Sequence, residues 1–180
     1  MAINLYNQYM DKEFYMNMAL DLAKEAFLAG ETPVGCVITG PDGEILGQGR
    51  NEAAAKKNTL YHAEIIAINE ASGKIGDFRL NDCTMYVTIE PCPMCAGAIV
   101  MSRIGTLVYG AKNPKAGCAG SVLNILDNAG FNHRVKVSGG VLAQECGSLM
   151  TEFFRENFRK HSNCATEAEV FCKNKPEENP

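Results

Sequence analysis

From Asp11 to Ala29, apolar side chains at Phe14, Met18, Leu22, Ala26 and Ala29 recur at helical spacing, and Gly30 follows as a stop. The pattern predicts an amphipathic helix. The period then shortens. "PVGCVIT" (33–39) is β-rich, "PDG" (41–43) is a turn, and "EILGQG" (44–49) reads as the return strand of a hairpin. A polar loop through Asn58 leads to a second helix beginning near His62, with Ile65, Ile66, Ile68 and Ala71 on its apolar side. "CTMYVTIE" (83–90) has the β-branched and aromatic content of a buried strand. Pro91 suits the first turn of a third helix running through "CAGAIVMS". "TLVYGA" (106–111) is a further strand, "RVKVSG" (134–139) a short one, and a last amphipathic helix runs from Leu142 to Lys160.

Strands alternating with helices predict an α/β sandwich with a partly parallel sheet. With 180 residues, 46% of them hydrophobic, the chain suffices for one domain with a real core. Past Ser162 the sequence "NCATEAEVFCKNKPEENP" is polar and has no usable period. The expected division is therefore a domain over 1–161 and a disordered or loosely docked tail over 162–180.

No apolar run reaches the roughly 18 residues of a membrane span. The N-terminal segment "MAINLYNQYMDKEF" lacks the basic start and apolar stretch of a secretory signal. A cytoplasmic protein without membrane contact is expected, its eight cysteines reduced, buried or ligating metal. The net charge of -4 argues against broad coating of nucleic acid but leaves room for a local basic patch.

The chemistry is concentrated in two short segments, "YHAEIIAINEA" and "TIEPCPMCAGAIV", which carry His62, Glu64, Cys92 and Cys95. Cys92 and Cys95 stand three apart at a helix start, so their sulfurs share a face, and the positive helix end favours thiolates. His62 opens the other helix and can reach the same ion off its end. Zinc takes four ligands, so His62, Cys92 and Cys95 would leave one position for water. Glu64, a non-ligand acid, would move protons. H-x-E…P-C-x-x-C is the pattern of zinc nucleobase deaminases. Either half alone is weak: C-x-x-C also occurs in structural zinc sites and redox pairs, and Cys36 or Cys83 could close the coordination sphere.

The likeness extends from about Asp11 to Lys160. "ETPVG" (31–35), "GQGRN" ending at Asn51, "YHAEIIAI", "MYVTIEPCPMCAGAI", "SRIGTLVYGAKNPKAGCAGS", "NHRV" and "FFR" together resemble the bacterial tRNA-specific adenosine deaminase family, within the cytidine/deoxycytidylate deaminase superfamily. The tetrad identifies the superfamily, and "KAGCAGS", "NHRV" and "FFR" point to the tRNA branch. The resemblance implies a three-layer α/β/α sandwich of the cytidine deaminase type with a mixed five-stranded sheet, one zinc ion per subunit, and a homodimer. It also implies hydrolytic deamination of adenosine to inosine at the wobble position of a tRNA, typically an arginine tRNA, by zinc-bound hydroxide with Glu64 as proton shuttle. The reacting nucleotide of the anticodon stem-loop would be splayed into the pocket.

By position, the resemblance assigns base contacts to Asn51, Ala63 and Val34. Flanking nucleotides fall to Asn132, His133 and Arg134, the RNA backbone to Asn113, and the stem-loop to Phe154 and Arg155 beside Phe153. Lys112, Lys115, Lys136, Arg159 and Lys160 add positive charge in the same segments. Asn113 departs from the family, where aspartate is usual; the amide keeps an acceptor but adds a donor and is expected to weaken preference for RNA over DNA. A deaminase of a free base such as guanine or cytosine, and a noncatalytic zinc module that binds RNA, are the competing readings.

Overall fold

The computed structural model describes the backbone over residues 2–173 and side chains over 12–159. The elements are α1 (Ala2–Leu28), β1 (Gly35–Thr39), β2 (Ile45–Arg50), α2 (Ala53–Lys56), α3 (Ala63–Ile75), β3 (Thr84–Ile89), α4 (Pro93–Met101), β4 (Thr106–Ala111), β5 (Lys136–Gly139) and α5 (Ala143–Lys173).

The sheet has the order β2-β1-β3-β4-β5. β1 is antiparallel to both β2 and β3, whereas β3, β4 and β5 run parallel. Side-chain alternation along the central strands feeds two cores. Met85 and Val87 point to one with Ala63, Ala67, Ala96 and Ile99 of α3 and α4. Tyr86 and Val108 point to the other with Met16, Ala19 and Cys146 of α1 and α5. The result is the expected three-layer α/β/α sandwich with a mixed five-stranded sheet.

α3 lies directly against β2. A Cβ on Gly47 would run into the Ala67 carbonyl, and one on Gly49 into that of Ala63. The glycines of "LGQG" and the alanines at 63, 67 and 71 thus bring helix and strand together, which fixes where α3 begins.

Three elements differ from expectation. α1 starts at Ala2 rather than near Asp11. The presumed loop after β2 contains a short helix, α2, which ends at Lys57 in the left-handed region (φ 51°). α5 continues past Lys160 to Lys173. No glycine or proline interrupts 161–173, and Ala165, Glu167, Ala168 and Glu169 favour helix, so composition alone does not stop it there. The end of the expected tail, residues 174–180, lies outside the described residues.

Candidate active site

Two helix starts frame the site. His62 is the N-cap of α3 and Cys92 the N-cap of α4, both with extended backbone (φ -80°, ψ 153° and φ -72°, ψ 172°). Pro93, rather than the expected Pro91, takes the first helical position, where its missing N–H is harmless. Cys95 follows one turn later and is fully buried.

The donor atoms of His62, Cys92 and Cys95 all lie within 4.8 Å of one another. His62 Nδ1 stands 3.7 Å from Cys92 Sγ and 3.5 Å from Cys95 Sγ. A tetrahedral zinc with ordinary Zn–N and Zn–S bonds separates such atoms by about 3.6 Å. The donor set and its spacing therefore fit that ion. Among the described residues, neither Cys36 nor Cys83 joins the group, so the set has three protein donors.

The thiols divide the charge between them. Cys95 donates to Cys92 and, helped by His62 against the cost of burial, pushes the Cys92 thiol down to about 4. Cys95 is held far up as the donor of that bond, with burial and the Glu64 charge adding to the effect. His62 is raised, chiefly by its bond to Cys92. Metal binding must displace these protons. Glu64, in the first turn of α3, is 4% exposed and interacts with the Cys95 thiol. Burial, reinforced by the Cys92 charge, raises its carboxyl above the ordinary range.

The remaining sequence-derived residues separate into groups. Asn51 ends β2 beside the start of α3; it is buried, and its N–H donates to the Val34 carbonyl (3.0 Å). Ala63 is fully buried in the first turn of α3. Asn113 closes a turn, its Oδ1 accepting from the N–H groups of Lys115 (3.3 Å) and Ala116 (3.1 Å).

Asn132, His133 and Arg134 precede β5 at the end of the sheet where β4 begins, and His133 Nε2 donates to the Ile104 carbonyl (2.8 Å). The triad follows the opposite, carboxyl end of β3, roughly 17 Å away by the length of a six-residue strand. One chain does not bring these three residues to the triad. Phe153 is buried against Phe27 of α1, leaving Phe154 and Arg155 exposed on α5, across the sheet from α3 and α4.

Two buried carboxylates stand outside the pattern that the motifs announce. Glu90, 1% exposed, precedes Pro91 and Cys92. It accepts from the N–H groups of Asn113 (3.1 Å), Ala119 (2.9 Å) and Ser121 (3.0 Å), and from the Ser121 hydroxyl. A Cβ on Gly117 would collide with that carboxylate. Glu90 thus clasps the loop after β4 to the turn that carries Cys92. Glu31, 3% exposed, faces Asn51 and α2. Their signal was only adjacency to "PC" and membership of "ETPVG"; an isolated Glu carries no period that announces its partners.

A cytidine-deaminase-type sandwich whose two facing helix starts bring together His, Cys, Cys and a buried Glu defines a nucleobase-type deaminase. The model of the MafB19-like deaminases matches residues 10–157. A tRNA-specific adenosine deaminase of Bacillus subtilis is 45% identical over 148 residues, covering 82% of this chain and 91% of the relative. The chain belongs to the tRNA-specific adenosine deaminase family. A structure from work on A-to-I editing by tRNA:A34 deaminases at the wobble position superposes with a TM-score of 0.72 at 34% identity, covering 76% of this chain and 98% of that one. A guanine deaminase of Nitrosomonas europaea, 22% identical, shares the fold (TM-score 0.69 over 78% of this chain and 83% of that one).

Proposed function

We propose that the protein converts adenosine to inosine by hydrolysis at the wobble position of a tRNA, an arginine tRNA being the expected substrate. The observation that carries this reading is the triad of His62, Cys92 and Cys95 at zinc spacing with the buried Glu64 beside it. The choice of tRNA over a free base rests on kinship: the B. subtilis relative is 45% identical, whereas the guanine deaminase shares the fold alone.

His62, Cys92 and Cys95 would hold one zinc ion per subunit, which, when bound, supplies Lewis acidity that makes water nucleophilic near neutral pH. Glu64 takes a proton from the attacking water and returns it to the departing amine, so that a C–N bond breaks, a C–O bond forms and ammonia leaves. Burial raises its carboxyl above the ordinary range, which favours its taking up the water's proton. Asn51, the Ala63 backbone and Val34 hold the base. Asn113 meets the RNA backbone, while Asn132, His133, Arg134, Phe154 and Arg155 contact RNA beyond the pocket.

A homodimer belongs to this reading, since residues at the far end of one sheet can then serve the RNA bound to its partner. Met101 and Leu123, both exposed, offer apolar surface for such a contact. No helix among the described residues is long and apolar enough to cross a membrane, and a cytoplasmic location belongs to the reading of a tRNA substrate.

The deciding experiment incubates the purified protein with an arginine-tRNA anticodon stem-loop and, separately, with free guanine and cytosine. Inosine in the RNA is the expected outcome. Deamination of a free base with none in the RNA would overturn the reading, and an inactive protein that still bound zinc and RNA would favour the noncatalytic module.

A further inference from the structure

Glu31 stands at the start of the loop between α1 and β1, 3% exposed, where no ion pair accounts for it among the described residues. Both of its oxygens are engaged. Oε1 accepts from the Ala55 N–H (2.6 Å), and Oε2 accepts from the Ala54 N–H (3.1 Å) and from Asn51 Nδ2 (3.2 Å). Backbone N–H groups can only donate, so both oxygens are committed as acceptors. The Asn51 group that faces them is therefore its amide nitrogen. Asn51 is itself 6% exposed, and its backbone N–H is tied to the Val34 carbonyl three residues beyond Glu31. One short segment thus fixes the main chain and the side chain of Asn51 together.

We propose that Glu31 is a positioning residue that sets the orientation of the Asn51 amide, and through it the hydrogen-bonding pattern offered to the base. Of the amide's three polar positions, Glu31 consumes one N–H. The second N–H and Oδ1 remain, in a fixed order in space. An asparagine with one donor and one acceptor in fixed order suits a base edge that carries one acceptor and one amine, as adenine does. A freely turning amide would present the reversed order half the time. The inference rests on the reading of Asn51 as a base contact.

Glu31→Gln keeps size and shape but turns one oxygen into an NH2 group. Oε2 serves both the Ala54 N–H and Asn51, so an NH2 in its place opposes both donors, and Asn51 then turns its own oxygen inward and reverses the pattern. A double-mutant cycle tests this, with kcat/KM measured on an anticodon stem-loop and referred to protein of measured zinc content. Glu31→Gln and Asn51→Ala should each lower kcat/KM by roughly tenfold to a hundredfold. The double variant should be no worse than Asn51→Ala alone, because Glu31 then has nothing to orient. Multiplying losses would overturn the proposal, since they would mean that Glu31 acts on folding or on another group. A neutral Glu31→Leu, in which no acceptor faces the Asn51 amide, would overturn it too. A neutral Asn51→Ala would instead remove the base contact on which the inference stands, and that outcome is separable from the other two.

Discussion

Two polar residues show how a side chain's partners decide its part. Among the described residues, Glu64 has no cation beside it beyond the triad's own histidine, and burial keeps its proton affinity high. Glu64→Gln should retain zinc by elemental analysis while inosine formation falls by about 10²–10⁴-fold. Loss of zinc together with activity would instead make Glu64 a support of the metal site. Asn113 spends its Oδ1 on the N–H groups of Lys115 and Ala116, so in the proposed RNA contact its amide nitrogen would be the part that meets the backbone. An aspartate keeps that turn and replaces the spare donor with an acceptor, which can take a 2′-hydroxyl proton. Asn113→Asp should therefore raise the preference for RNA over a matched DNA stem-loop; an unchanged ratio would refute this role.

Between elements, the decisive contacts are backbone approaches and buried carboxylates. Gly47→Val would force α3 off β2, costing about 1–3 kcal/mol or more by overpacking, and would displace Ala63 and with it His62. The expected result is a lower melting temperature with reduced zinc content. Normal zinc content at the lower melting temperature would show that the triad tolerates a moved helix. Glu90 joins the loop after β4 to the cysteine turn. Burial works against its ionised form, but the hydrogen bonds from Ser121, Asn113 and Ala119 prevail and hold its carboxyl below the usual value of 4.5. Its folded value lies under its unfolded one, so this stabilisation is present above about pH 4.5 and is lost as pH falls through the folded value. Glu90→Gln should thus lose about 1.5–3 kcal/mol at pH 7, with parent and variant converging in acid. A gap independent of pH in thermal melts would exclude the charge as the cause.

At the scale of the molecule, a net charge of -4 must coexist with binding to a polyanion. Arg134 and Arg155 pair with Asp127 and Glu152 at 3.6 and 3.5 Å, but these pairs are exposed and worth little, so both arginines can turn to phosphate. If three or more of the basic side chains do so, stem-loop affinity should fall with salt with a log–log slope of about -2 or steeper. A flat salt titration would place recognition in the pocket alone. The separation of Asn132–Arg134 from the triad also belongs to this scale, because RNA contacts there, as proposed, would extend the footprint beyond the pocket of one chain.

Local signals were enough for the strands, for the start of α3 and, to within about two residues, that of α4, and for the residues that can hold zinc. Periodicity and β-branching are properties of adjacent residues, and H-x-E with P-C-x-x-C places ligands at helix starts by spacing alone. α2, the full reach of α1 and α5, and the parallel pairing of β4 with β5 were not legible in the same way. α2 has only four residues, and its first amides are satisfied by Glu31, which lies 23 and 24 positions earlier in the chain. The same holds for Glu90, whose partners lie 23 to 31 residues away. Which donors a buried carboxylate will meet depends on how distant segments pack, and no local period encodes it. The chain by itself thus determined the chemistry and the layers that carry it. Only the tertiary structure decided which residues hold that chemistry in place, and which of the expected RNA contacts lie within reach of it.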